Sequence, residues 1–262
     1  MRSSVHHPDP NFATTLAHGL SLLQCFRVGS SMLSNKELAE RTGLSKATVS
    51  RLTYTLMARG LLTYDGHLRR YQLGPTALSL GYPLLASLRV RQIARPLMKE
   101  LADYAGGSVS LGIRDRTNMV YIETSRGHDA VAFRPDIGAS LPVMTSAMGR
   151  AWLAQADQEE CARLLAEINR LHPDKQAANA TIVATARADL AEKGYCIARG
   201  EWQQDVHAIA VPMRTAVDGE ILVFNCGVLI GRLKGKTIES KLAQGLLDMV
   251  KEVEAAMFPR HL

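Results

Sequence analysis

Aromatic residues make up only 5% of the 262-residue chain, and its four cysteines, Cys25, Cys161, Cys196 and Cys226, stand far apart with no C-x-x-C pair. That spacing argues against a disulfide framework or a zinc finger and suits isolated buried thiols in a reducing cytoplasm. No run of 18 apolar residues occurs, and the first 30 residues lack the basic, apolar and small-residue segments of a secretory signal. Neither a membrane span nor export is expected. Also missing are a G-x-S-x-G elbow, a Walker loop, an H-E-x-x-H pair and a G-x-G-x-x-G turn after a strand. Glu201 and Asp205 lie near His207, and Ser146 follows Thr145, but acidic residues in a loop are most often solvated. The chain reads as a non-enzyme without metal or cofactor; the alternative is a small-acid-processing enzyme with a basic N-terminal targeting module.

What is present is an ordinary globular composition, 47% hydrophobic and 21% charged, in a length that favours two domains. The formal charge of +6 is concentrated at one end. Residues 1–75 hold nine Lys and Arg against four Asp and Glu, whereas residues 76–262 hold 22 against 21. A basic domain joined to a nearly neutral one is the footprint of a protein that meets a polyanion with one half only.

Residues 1–11, with His6, His7, Pro8 and Pro10, suit a frayed tail. From Thr14, the residues Leu16, Leu20, Leu23 and Phe26 recur at helical spacing and predict one buried face of a first helix ending before Gly29. Ser34 and Glu37 fit a capping box for a short helix over 35–42, after which Gly43 permits a sharp exit and Ser45 can cap a third helix over 46–59. Ala39, Gly43, Val49 and Leu52 sit where a helix-turn-helix needs a small residue at the crossing, a glycine at the turn and branched residues inside. Val49, Leu52 and Leu56 form the expected buried stripe, which leaves Lys46, Ala47, Ser50, Arg51 and Tyr54 facing outward. Small, hydroxyl and basic groups on that side suit a helix that enters a major groove, so Ser45, Lys46, Thr48, Ser50, Arg51 and Tyr54 are the candidate DNA contacts. Two strands around Asp65-Gly66 then read as a wing, with His67, Arg69 and Arg70 at its tip for phosphates or the minor groove.

Residues 76–95, rich in Leu and interrupted by Pro83, read as a linker helix, and Pro96 marks its end. Residues 96–262 follow as a second domain. A helix to Tyr104 is followed by strands near 108–113, 118–123 and 130–134, and helices over 146–155, 158–171 and 181–193. Strands near 195–198, 208–213 and 221–225 and a last helix over 238–257 complete it. Hairpin-connected strands with grouped helices indicate an α+β domain with a mostly antiparallel sheet, able to hold a small-molecule pocket. Trp202 either anchors its loop by packing or lines that pocket.

The stretches 38–52 (LAERTGLSKATVSRL), 71–75 (YQLGP), Leu141-Pro142, 146–151 (SAMGRA) and 209–212 (IAVP) together resemble the IclR family of bacterial transcriptional regulators, over about Phe12 to Met257. The resemblance implies a winged helix-turn-helix over 12–75, the linker helix over 76–95, and a GAF-like effector-binding domain over 96–262. It also implies double-stranded operator DNA as partner, a small organic acid as effector, and a homodimer or homotetramer. Carried over residue by residue, the effector contacts are Ala130 and Phe133, Ala147 and Met148, Ala198, Val206 and Ala208, and Asn225 and Gly227. Free N–H groups at the helix that opens near Ser146 form a sensible carboxylate seat, with Ser146 and Asn225 as further donors and Phe133, Met148 and Trp202 over the apolar part. Several family members carry Cys, Asp and Cys where this chain has Thr145, Ala198 and Ala208. The smaller apolar residues point to an aromatic or branched acid rather than one of glyoxylate size.

Overall fold

The structure, a computed structural model, describes residues 9–27, 29–128 and 135–259. Its contacts divide the chain after Ser87 into two compact units. In the first unit, α1 (Thr14–Leu23), α2 (Asn35–Thr42) and α3 (Lys46–Ala58) precede the hairpin of β1 (Leu62–Asp65) and β2 (Arg70–Leu73) and then α4 (Pro75–Ser87). Leu22, Phe26, Leu33, Leu38, Val49 and Leu62 form its buried core.

Local signals account for most of these boundaries. Ser34 Oγ accepts the Glu37 N–H at 3.2 Å while the Ser34 N–H donates to Glu37 Oε2 at 2.8 Å, which closes the capping box of α2. Gly43, at φ +71°, takes the left-handed conformation that ends α2, and Ser45 Oγ accepts the Thr48 N–H at the start of α3. The α1 face differs from the sequence reading. Leu16 and Leu20 are exposed, Gly19 and Leu22 are buried, and the helix ends at Leu23, so Phe26 enters the core from the turn beyond it.

The helix expected over 76–95 is instead two helices. α4 contains Pro83 and ends at Ser87, and α5 (Arg89–Ala105) runs through Pro96. Burial of Val90, Ala94, Met98, Leu101, Ala102 and Ala105 along one α5 face outweighs the hydrogen bond that Pro96 forfeits.

In the second unit, α5 leads into β3 (Ser108–Asp115), β4 (Asn118–Arg126) and the short β5 (Ser140–Pro142), a strand that the sequence reading omitted. The strand expected near 130–134 lies outside the described residues. Next come α6 (Ala147–Gln155), α7 (Gln158–Leu171), α8 (Gln176–Lys193), β6 (Cys196–Arg199), β7 (Val206–Pro212), β8 (Val223–Leu229) and α9 (Ile238–Met257). The six strands form one antiparallel sheet in the order β5-β4-β3-β8-β7-β6. Met119, Tyr121, Cys196, Ala198, Ala210 and Val223 turn to the face covered by α6, α7 and α8, and the alternate residues meet α5 and α9.

Candidate nucleic-acid interface and ligand cleft

The outer side of α3 is the one read from spacing. Ser45, Lys46, Ala47, Ser50, Arg51 and Tyr54 are exposed, Tyr54 at 72%, and Thr48 is half-buried. Lys46 and Arg51 have no ion-pair partner among the described residues, so both charges are available to an external anion. The Ser50 hydroxyl accepts from Asn35 Nδ2 at 2.9 Å and keeps its proton to donate. Ser45 is occupied as the helix cap, with Thr48 Oγ1 2.9 Å from its hydroxyl. Inside, Thr53 joins Val49 in the buried stripe, its hydroxyl proton passed to the Val49 carbonyl at 2.9 Å, and Leu52 and Leu56 are only partly covered.

At the wing tip, Asp65 Oδ1 accepts the N–H groups of His67 and Leu68, which shapes the turn and leaves His67, Leu68 and Arg69 exposed. Arg70 has a role within the unit as well. Its guanidinium donates to both Glu37 oxygens, at 2.9 and 3.2 Å, and to the Met32 carbonyl at 2.9 Å. Those bonds, all from Nη1, fasten the wing to α2 and leave Nη2 and Nε outside the tie. Glu37 answers in its acidity: the Ser34 hydroxyl, then the Ser34 N–H, and more weakly Arg70 hold its carboxyl down to about 2.

The second site forms where α6 meets the sheet. Ser146 is buried; its hydroxyl accepts the Gly149 N–H at 3.1 Å and donates to the Pro142 carbonyl at 2.8 Å. Its one proton is therefore spent, which removes Ser146 from the expected ligand donors. The backbone N–H groups of Ala147 and Met148, at the first two positions of α6, find no partner among the described residues.

Beside Ala147 lies a narrow cleft of about 40 Å³. Eight expected residues line it: Ser146, Ala147, Ala198, Trp202, Val206, Ala208, Asn225 and Gly227. The Met148 side chain does not. It is fully buried and packs over Gly112, where a methyl group would come within 2.4 Å of its sulfur. Ala130 and Phe133 lie outside the described residues. Ser108, Tyr121, Pro135, Leu141, Gly200 and Gln203 complete the lining and were missed from sequence. Ser108 was accessible through pairing, because it lies opposite Gly227 across β3 and β8. Tyr121 gave no such signal.

Among the described residues, none that lines it is Asp, Glu, Lys, Arg or His. The loop that carries Trp202 and Gln203 is held by Arg150 of α6, which contacts Glu201 at 2.8 Å and donates to the Ile197 carbonyl at 2.7 Å. Burial works to raise the Glu201 carboxyl, but hydrogen bonds from its own backbone and from Arg150 outweigh it and keep the group below its ordinary value. Asn225 is 5% exposed, and its Oδ1 has no hydrogen-bond partner among the described residues.

Two family models match the chain: the IclR helix-turn-helix domain over residues 15–66 and the bacterial transcriptional regulator IclR C-terminal domain over 83–255. The HTH-type transcriptional regulator TsaQ1/TsaQ2 of Comamonas testosteroni is 30% identical over 245 residues, 93% of this chain and 88% of the relative. The crystal structure of an IclR family transcriptional regulator from Brucella abortus is similar, with a TM-score of 0.80 and 38% identity over 98% of this chain and 97% of its own. An IclR homolog from Microbacterium hydrocarbonoxydans, crystallised in complex with 4-hydroxybenzoate, shares the fold, with a TM-score of 0.71 and 22% identity over 92% and 98%.

Proposed function

Because the chain belongs to the IclR family of bacterial transcriptional regulators, it is a DNA-binding regulator and not an enzyme, and we propose that a small organic acid in the cleft sets its affinity for operator DNA. The operon under control is a catabolic one for that acid. The observation that carries this reading is that the unspent Ala147 N–H, at the start of α6, lies beside a cleft lined by small and aromatic residues. A helix N-terminus favours negative charge, so the carboxylate sits against Ala147 and Met148 while Tyr121 and Trp202 cover the apolar part. The complex of the Microbacterium homolog with 4-hydroxybenzoate supports an aromatic acid as effector.

On the DNA side, Lys46, Thr48, Ser50, Arg51 and Tyr54 of α3 enter the major groove, and His67 and Arg69 of the wing reach the adjacent backbone or minor groove. One such helix reads too few base pairs to be selective, so a homodimer or a homotetramer binds a pseudo-palindromic operator. The exposure of Leu78, Leu80, Tyr82 and Leu84 on α4, a helix with no buried residue, supports burial against a second copy. A bound acid changes operator affinity only by favouring one arrangement of the two units, and residues 76–95 are the covalent route between them.

The test is a binding titration of the full chain on the DNA upstream of its own gene, with and without small acids degraded by the products of neighbouring genes. An acid that binds the cleft and shifts operator affinity severalfold is expected. An acid that fills the cleft yet leaves operator affinity unchanged overturns the switching mechanism.

A further inference from the structure

The hydroxyls of α3 are not all committed in the same way. Thr53 and Thr55 spend their protons on carbonyls of their own helix, that of Val49 at 2.9 Å and that of Arg51 at 3.1 Å. Ser50 makes no such bond among the described residues. It is exposed on the outer side, and its Oγ instead accepts at 2.9 Å from Nδ2 of Asn35, a half-buried residue 15 positions earlier at the start of α2.

That contact decides which way the hydroxyl faces. Ser50 Oγ has one proton to give and lone pairs that receive, and an amide N–H can only give, so the proton is turned away from Asn35. Asn35 is itself held. It follows the capping residue Ser34, whose partner Glu37 is gripped by Arg70 of β2, so the backbone that presents its side chain is fixed at the end of α2. Lys46 and Tyr54 stand one turn before and one turn after Ser50 on the same exposed stripe, and Arg51 is next in sequence. The charges of Lys46 and Arg51 can serve phosphates without reading sequence, whereas a short neutral donor between them carries information when it meets a base edge.

We infer that Asn35 is a positioning residue that sets Ser50 as a hydrogen-bond donor in the major groove, so that at one base pair the protein selects a keto base, guanine or thymine, over an amino base, adenine or cytosine. This rests on the reading of α3 as the groove-entering helix and narrows it. In the groove guanine O6 and thymine O4 accept, whereas adenine N6 and cytosine N4 donate. An outward proton pairs with the first two and meets a second donor on the others. Turned over, the Asn35 amide would take the Ser50 proton on Oδ1 and leave lone pairs outward, which selects the amino bases instead.

The test titrates the full chain on the DNA upstream of its own gene, in a set of duplexes where each base pair of the protected half-site is replaced in turn. At one position the wild type should prefer a keto base by about 5- to 10-fold, and Ser50→Ala should erase that preference while those at other positions remain. Asn35→Asp is the decisive variant. A carboxylate suits the start of α2 and can only accept, so it draws the Ser50 proton inward and should abolish or invert the preference at that position alone; added to Ser50→Ala, it should change no preference. Its charge also repels phosphate, which weakens binding to every duplex equally and leaves the ratios intact. An amino-base preference in the wild type, a Ser50→Ala effect that is absent or uniform over all duplexes, or a preference that survives Asn35→Asp overturns the inference. The broader reading of α3 fails on a different result, namely that Arg51→Ala leaves the affinity for every duplex and its salt dependence unchanged, and failure of the full chain to bind any duplex counts against both.

Discussion

Gly149 is the point at which α6 and the turn before it are pressed together, and Gly149→Ala puts a definite displacement on the candidate carboxylate seat. A β-carbon there would stand 2.1 Å from the Val143 carbonyl oxygen, 2.3 Å from its Cα and 2.5 Å from its carbonyl carbon. Ordinary contact begins near 3.4 Å, so the two backbones must part by more than 1 Å. Neither side yields readily: Val143 is fully buried with its N–H on the Thr117 carbonyl, and Ser146 is tied to Pro142 through both its N–H and its hydroxyl. Overpacking of this kind costs about 1–3 kcal/mol, and here the clash is with backbone, which favours the upper part of that range. Alanine returns about 1 kcal/mol of helix propensity, so a net loss of about 1–2 kcal/mol is expected. Trp152 and Trp202, the two tryptophans of the chain, both lie in the second unit, so urea unfolding followed by tryptophan fluorescence isolates the relevant transition. The same displacement carries the Ala147 and Met148 N–H groups off their seat, so acid affinity should fall as well. Gly19→Ala, with nothing within 4 Å of the added carbon, is the control for helix propensity and should stabilise α1 by up to about 1 kcal/mol, followed by circular dichroism because the first unit has no tryptophan. A Gly149→Ala protein with an unchanged or higher urea midpoint and undiminished acid binding would refute the packing argument.

Arg51→Ala should weaken binding to all DNA sequences and flatten the salt dependence by about one unit, whereas Arg70→Ala should lower the melting temperature of the first unit and leave that slope alone; a changed slope for Arg70→Ala would reject its assignment as a fastener. The Glu37 carboxyl titrates near 2 in the folded chain against an ordinary 4.5, so its contribution is complete above about pH 4.5 and fades as the pH falls toward 2. Acid titration of the first unit by circular dichroism should therefore show a flatter profile for Glu37→Gln over that window, and identical profiles would contradict the tie. Glu123, 3% exposed, sits 3.1 Å from Arg91 and 2.7 Å from the more exposed Arg95. Glu123→Gln removes the charge that Arg91 faces in its buried setting and should cost about 3 kcal/mol in the same fluorescence-detected unfolding; a loss below about 1 kcal/mol would show the site to be effectively solvated.

The parts of the fold that sequence patterns announced are those set by near neighbours. Ser34, Glu37, Gly43 and Ser45 fix the ends of α2 and α3 through bonds spanning three or four residues, so spacing alone located them. The departures arise where distant contacts decide. Leu16 and Leu20 keep helical period with Leu23, yet Leu22 is the α1 side chain fully buried in the core of the first unit. Pro96 punctuates the sequence, but it lies in a helix held by its buried face. Arg70 looks like any basic residue of a wing until Glu37, 33 positions earlier, is brought beside it. Cleft residues could be matched one by one to family positions, whereas the inward turn of Met148 follows from the close seat that Gly112 gives its sulfur.

Tyr121 escaped detection for a reason that also bears on how the second unit is built. In a regular strand Tyr121 and Glu123 would share one face, and a polar residue so placed would mark both as solvent-facing or both as inward. The β3–β4 register slips between Leu111 and Gly112: Gly112 pairs with Tyr121, Leu111 pairs with Glu123, and Ile122 is the extra residue between. Tyr121 therefore joins Gly112 on the α6 side, in the lining of the cleft, while Glu123 joins Leu111 on the opposite side, where Arg91 and Arg95 of α5 hold it. Removing the bulge would turn one of the two to the wrong face, setting either a carboxylate among the apolar groups around Met119 and Ala198 or a tyrosine under α5 without its cleft. The ion pairs and the aromatic wall thus fix one register together. They also place a wall of the cleft two residues from the anchor of α5, the first helix after Ser87.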